Sequence, residues 1–106
     1  MSKRVAHFDG KRLWIWCPGC ADLLKDAGLH AIPVAPVGAE FGPTWTWDGT
    51  LDAPDLSPSI RTLLGEGRVC HSFLKAGQWE FLTDSTHSLA GQTVPMVPLP
   101  DWAPGH

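Results

Sequence analysis

Short stretches of alternating apolar and polar residues recur along the chain, and glycine and proline separate them. This pattern is typical of short β-strands with one buried face. The clearest pair is "VCHSFL" and "QWEFL" at 69–82, which flank a Lys-Ala-Gly turn. Facing residues in such a hairpin share one side of the sheet. The predicted cross-strand pairs are Leu74–Trp79, Ser72–Phe81 and Cys70–Thr83.

A second hairpin is predicted at 4–17, around the turn Asp9-Gly10, with Phe8 facing Lys11. Further strands are predicted at 30–34, 44–47, 59–64 and 92–94, and the only helical pattern lies at 21–28. We therefore expect an all-β fold, either a short-stranded sandwich or a partly open barrel, with a zinc knuckle and at most one or two helical turns. The chain reads as a single domain over 1–106, and its proline-rich segment 95–106 is predicted to be an extended tail.

Charge and cysteine usage narrow the classes of partner. The 106 residues carry a formal net charge of −3 and no basic block. Nucleic acid remains a possible partner, but this charge does not favour binding to a phosphate backbone. We see no apolar run long enough for a membrane span and no hydrophobic signal core, so a cytoplasmic location in a host cell is expected. Three cysteines, an odd number, favour metal ligands over a disulfide framework in a reducing compartment.

The stretch Cys17-Pro18-Gly19-Cys20 is the strongest chemical signal, because a tight turn aims both sulfurs at one point. A structural zinc takes four such ligands in a tetrahedron. The sequence predicts one Zn²⁺ per chain. Two alternatives for a single CxxC pair are a chance occurrence that binds no metal and a redox dithiol, but the long helix that usually follows a redox dithiol is not predicted here. The first choice of ligands is Cys17, Cys20, Cys70 and His87, with His30 and His71 as alternates.

His71 follows Cys70 in a predicted strand, so the two side chains should point to opposite faces. They could share one ion only if the strand bulges there. On its own face His71 should neighbour Phe73, Glu80 and Leu82. We therefore interpret His71, Glu80 and Asp84 as a possible working surface, where a histidine beside a carboxylate can exchange protons or contact a partner.

Several blocks of the sequence together resemble a known family. The blocks are "WCPGC", "HAIPV", "WTWDG", "SPSI", "CHSF", "FLTDSTHSLAGQTV" and "LPDW". They resemble small phage and prophage proteins of unassigned function, some of which carry enzyme names such as ammonia monooxygenase. The resemblance implies that His30, Cys70, His71 and His87 sit in family motifs, as the CxxC pair does. This sequence departs from the family in one place, a longer stretch between Cys20 and His30, which either weakens His30 as an obligate ligand or is a surface excursion. Some relatives have cysteine where this chain has Ser85, so a required ligand is not expected at that position.

These observations predict a zinc-stabilised interaction module of phage type rather than an enzyme. A host or phage protein is the expected partner, and modulation of a host factor or defence system is the expected role. One alternative is a small metal-dependent hydrolase or nucleic-acid enzyme, although HExxH, P-loop and GxSxG motifs and the zinc-deaminase signature are absent from the sequence. The other alternative is a structural phage component.

Overall fold

The computed structural model describes residues 4–35 and 45–104. Eight strands form one sheet in sequence order, and every neighbouring pair is antiparallel except β3 and β4. The sheet curves into a half-barrel, which confirms the all-β prediction. The strands are β1 Ala6–Phe8, β2 Arg12–Trp16, β3 Leu29–Ala35, β4 Trp45–Trp47, β5 Leu56–Leu63, β6 Val69–Lys75, β7 Gln78–Phe81 and β8 Thr93–Pro95.

The β6–β7 hairpin has the predicted register. Leu74 pairs with Trp79 and Ser72 pairs with Phe81. Ala76 and Gly77 both have positive φ, at 50° and 78°, as a two-residue turn of the primed type requires. The ladder stops at Phe81, so the expected Cys70–Thr83 pair does not form within it.

The β1–β2 hairpin has a longer turn than predicted, and its register is shifted. Phe8 pairs with Leu13, where Lys11 was expected. The reason is the Asp9 carboxylate, which accepts backbone N–H bonds from Lys11 at 2.9 Å and Arg12 at 2.7 Å. It also accepts a bond from the indole of Trp14 at 2.9 Å. These three hydrogen bonds lower the pKa of Asp9 to about 2, and the bond from the Trp14 indole has the largest effect. They also stabilise a turn longer than the predicted one.

The helical segment begins earlier than the predicted 21–28. Helix α1 spans Pro18–Leu23, and a 3-10 turn follows at Lys25–Gly28. Proline suits the first helical position because its missing N–H has no partner to lose there. The Cys17 sulfur caps the helix by accepting the backbone N–H of Cys20 at 3.4 Å. The CxxC pair is therefore folded into the first turn of α1.

The buried core lies on one face of the sheet. Burial alternates along β6, where Cys70, Ser72 and Leu74 are buried and the residues between them are half-buried. The core also contains the fully buried Trp79 and Phe81 from β7. The opposite face of β6, which carries His71, is therefore accessible to solvent.

The segment after β8 has no regular structure but packs back onto the domain. The backbone N–H of Leu99 donates to the carbonyl of Arg4 at 2.8 Å, and Leu99 and Ala103 are buried. Residues 36–44, between β3 and β4, fall outside the described residues. In the part of the chain that the structure describes, the helices are too short and too polar to cross a membrane.

Candidate active site and metal centre

Three side chains on the open face form a hydrogen-bonded chain. Ser59 Oγ lies 2.9 Å from Nε2 of His71, and His71 Nδ1 lies 3.0 Å from Oδ2 of Asp84. An ionised carboxylate only accepts hydrogen bonds, so Nδ1 carries the proton and Nε2 accepts from the serine hydroxyl. A nucleophile, a base and a group that orients the base are thus connected in the arrangement of a serine hydrolase.

A bulge in β5 brings Ser59 to this position. Leu56 pairs with Leu74 and Ile60 pairs with Ser72, so three residues of β5 lie opposite Phe73 alone. Two extra residues preserve the inward and outward alternation but move Ser59 along the strand. The serine therefore lies diagonally across from His71 on the same face.

The segment 82–86 brings Asp84 to the other side of His71. Ser85 is buried, and its hydroxyl accepts the backbone N–H of His71 and donates to the carbonyl of His71, both at 3.0 Å. The backbone N–H of Thr86 donates to the Val69 carbonyl at 2.8 Å. These bonds continue the pairing along β6, where the regular ladder has ended. As a result, the carboxylate of Asp84 is held against the imidazole.

An open pocket of about 590 Å³ adjoins His71 and Asp84. Its other lining residues are Glu80, Phe81, Leu82, Thr83, Gly91 and Thr93. Glu80 lies 3.7 Å from Lys75 in a half-exposed ion pair. A substrate can therefore approach the hydrogen-bonded chain from the β7–β8 side of the sheet.

Sequence reasoning identified His71 and Asp84 as a possible working surface, and the structure places them in contact. It missed Ser59, which was assigned only to a strand. The signal for it was present in the block "SPSI", since a serine near the partner strand of His71 could face it. A strand assignment without the bulge does not reveal that contact.

The three cysteines meet on the buried face behind this site. The ligand atoms of Cys17, Cys20 and His30 all lie within 4.8 Å of one another. Cys70 joins them through its sulfur, 3.6 Å from the sulfur of Cys17, and the three thiols are free rather than disulfide-bonded. The predicted Cys/His cluster therefore forms, and it is compatible with a metal site.

Two distances between neighbouring ligand atoms match those around one tetrahedral ion. Zn–S bonds of about 2.3 Å place two sulfur ligands about 3.8 Å apart, and a sulfur and a nitrogen ligand about 3.5 Å apart. The structure has 3.6 Å between the sulfurs of Cys17 and Cys70, and 3.3 Å between Nε2 of His30 and the Cys20 sulfur. A disulfide would need about 2.0 Å.

His87 also approaches the cluster, with Nε2 at 3.3 Å from the Cys70 sulfur. Its other nitrogen, Nδ1, accepts the backbone N–H of Leu89 at 3.2 Å. Burial lowers the pKa of His87, which favours the neutral ring. A neutral ring that accepts at Nδ1 carries its proton on Nε2, so it donates that proton to the sulfur.

The thiols titrate as a group. Hydrogen bonds from Cys17 and then Cys70, with a smaller effect of His30, lower the pKa of Cys20 far below its usual range. The pKa of Cys17 is raised to about 12, because its thiol proton is held by Cys20. The pKa of Cys70 is raised by its bonds to Cys17 and Cys20. One thiolate is therefore favoured in the protein alone, and a cation would be needed to deprotonate all three.

The two sites share their supporting elements. Cys70 and His71 are neighbours on β6, and their side chains lie on its buried and open faces. His87 follows Asp84 by three residues and contacts the Cys70 sulfur. Gly19 allows this contact, because a Cβ there would clash with His87 Nε2. The cysteine cluster thus fixes both segments that carry the base and its carboxylate.

Comparison with known proteins gives one family. A family model described as bacterial ubiquitination-like system serine protease (BubE) matches residues 2–82. This range includes Ser59, His71 and the three cysteines, and it ends two residues before Asp84. No curated protein and no solved structure matches the chain. The family description mentions neither phages nor host modulation, so both stay predictions.

Proposed function

The chain belongs to the bacterial ubiquitination-like system serine protease (BubE) family, and from this premise we propose that it is a serine peptidase. The observation that carries the proposal is the hydrogen-bonded chain Ser59–His71–Asp84, with donor–acceptor distances of 2.9 and 3.0 Å. The residue types, their order of contact and their accessibility all suit acyl transfer.

The reaction follows from the proton positions. Ser59 Oγ attacks the scissile carbonyl carbon while its proton passes to His71 Nε2, and Asp84 stabilises the imidazolium that forms. The tetrahedral intermediate collapses as the C–N bond breaks, and Nε2 returns the proton to the leaving amine. Water then attacks the acyl–Ser59 ester, gives one proton to Nε2 and releases the acid. The proton on Nε2 returns to Ser59 Oγ.

We further propose that the cysteine cluster holds one Zn²⁺ in a structural role. Three buried sulfurs and one imidazole form a closed donor set, which is typical of structural zinc. The bound ion would stabilise all three thiolates and supply folding free energy. The donor set lies behind β6, on the face opposite Ser59, so the peptidase steps use only this chain's own side chains.

We favour His30 over His87 as the fourth ligand. The Leu89 N–H that reaches Nδ1 of His87 leaves that ring with its proton on Nε2. A ligand nitrogen must offer a lone pair, and such a nitrogen cannot. His30 Nε2 lies 3.3 Å from the Cys20 sulfur and within 4.8 Å of the Cys17 sulfur, so it would be the fourth ligand, while His87 would donate to the Cys70 thiolate. The first choice from sequence, His87, stays a prediction that metal analysis can test.

The family description suggests the kind of substrate. A protease of a ubiquitination-like system acts on proteins of that system, so we propose a ubiquitin-like modifier or its conjugate as the substrate. The partner in this proposal is a bacterial protein. The partner predicted from sequence was a host or phage protein.

Active-site labelling tests the proposal. The purified protein is incubated with an alkyl fluorophosphonate, and intact-mass and peptide mass spectrometry locate the adduct. We expect one adduct per chain, on Ser59, and no adduct in Ser59→Ala or His71→Ala. Ser57→Ala is the matched control, because this serine lies in the same strand, is exposed and makes no side-chain hydrogen bond among the described residues. If Ser59 is not labelled in folded protein, the interaction module predicted from sequence becomes the better account.

A further inference from the structure

Arg61 is a charged group beside the proposed nucleophile that has no role so far. It follows Ser59 by two residues on β5, so both side chains lie on the open face. It is also the direct cross-strand partner of His71. The backbone groups of His71 bond to Ser85 and Leu82 on the other side, which makes this a non-hydrogen-bonded pair with side chains close together.

The guanidinium of Arg61 is exposed and has no ion pair or side-chain hydrogen bond with any described residue. Lys75 shares the open face, but its ammonium lies 3.7 Å from Glu80. Within the described residues, Arg61 is thus an unpaired cation on this face, and it lies next to the hydrogen-bonded chain. An arginine stays charged at all physiological pH values and binds carboxylates through two parallel hydrogen bonds.

Charge is distributed unequally around the hydrogen-bonded chain. On the β7 side, the pocket is lined by two carboxylates, those of Glu80 and Asp84. On the β5 side, the charged neighbour is Arg61. An anionic group of a substrate would be attracted beside Ser59, whereas the lining of the pocket offers it no lysine or arginine. This asymmetry fixes the side on which a carboxylate can bind.

Resting on the peptidase assignment above, we propose that Arg61 determines specificity by binding a carboxylate of the substrate next to the scissile carbonyl. The carboxylate is either an acidic side chain or the C-terminal carboxylate of the chain being cleaved, which share the same chemistry. An oxyanion-stabilising role fits the structure less well, because such donors are held in place before the reaction. Arg61 is exposed and unpartnered, as a group that waits for a ligand would be.

Two matched probes test the proposal without knowledge of the natural substrate. One is an alkyl fluorophosphonate with a terminal carboxylate, and the other is its methyl ester. The measured quantity is the second-order rate constant for labelling Ser59. A charge-assisted hydrogen bond at an exposed site predicts that the wild-type protein reacts about 10- to 30-fold faster with the acid than with the ester. This preference should decrease as the salt concentration rises.

The variants separate charge from fold. Arg61→Gln should react equally with both probes, while Arg61→Lys should keep part of the preference. Arg12→Gln is the matched control, an exposed arginine on β2, and it should behave as wild type. Equal wild-type rates, or a preference that persists in Arg61→Gln, would overturn the proposal and leave the peptidase assignment intact. Absence of labelling with both probes would refute the assignment itself.

A peptide library distinguishes the two sources of the carboxylate. Identical peptides with free or amidated C-termini are digested, and mass spectrometry reads the cleavage sites. Enrichment of Asp or Glu at one fixed position in both sets identifies a side chain. Cleavage near the end of the free acids alone identifies the terminal carboxylate. Cleavage sites with neither feature would contradict the role of Arg61.

Discussion

Replacement of Ser85 by alanine tests how the active site is held together. The Ser85 hydroxyl makes two hydrogen bonds to the backbone of His71, both at 3.0 Å, and the residue is 8% exposed. The variant removes both bonds and leaves the His71 N–H without a protein partner. It also frees the turn that positions Asp84.

The expected cost can be estimated from these contacts. A buried donor left without a partner costs about 1–3 kcal/mol. The site is only partly buried, so water can replace some of the lost bonding, and we expect about 1–2 kcal/mol here. For a domain of this size, that corresponds to a decrease in Tm of about 4–16 °C. Ser85→Cys, which keeps a weak donor and acceptor, should fall between wild type and Ser85→Ala.

Thermal unfolding of metal-loaded protein measures the effect, with Ser57→Ala as the control. The same samples are tested for labelling of Ser59, which should slow in Ser85→Ala by a larger factor than in the control. A Tm for Ser85→Ala equal to that of the control would show that the two hydrogen bonds do not hold this turn. A lower Tm with unchanged labelling would show that Ser85 stabilises the fold without positioning Asp84.

Three further predictions concern other contacts. Asp84→Asn should keep the fold and its metal but lower the rate constant for labelling Ser59 by up to about 10⁴-fold, because an amide can stabilise the wrong tautomer of His71. A rate constant near that of wild type would show that Asp84 has no part in the mechanism. His30→Ala should lose bound zinc in elemental analysis while His87→Ala retains it with weaker affinity, and the reverse result would restore His87 as the ligand. Hydrogen bonds from Ser88 lower the pKa of Asp22, so their contribution to stability is present at pH values above the ordinary pKa of 3.8 and is lost as the pH falls below it. Asp22→Asn should lose this part of the pH dependence of thermal unfolding. An unchanged pH profile would contradict the prediction.

The sequence alone determined the features that depend on neighbours along the chain. The alternation of "VCHSFL" and "QWEFL" and the turn between them specify the β6–β7 register, because a slip of one residue would expose the core face. The spacing of Cys17 and Cys20 specifies one half of the cluster, because a CxxC turn aims both sulfurs the same way. The opposite faces of Cys70 and His71 follow from the two-residue period of a strand.

Only the tertiary structure decided which distant groups meet. Ser59 reaches His71 because β5 gains two residues between its pairings with Leu74 and Ser72, and a strand pattern does not show such a bulge. His87 comes within 3.3 Å of the Cys70 sulfur because the segment after β7 turns back along β6, where Thr86 bonds to Val69. Both contacts are hydrogen bonds, which form only when the two atoms are placed to within less than about 1 Å. The hydrophobic pattern of the sequence specifies only which strand a residue belongs to and which face of the sheet it occupies.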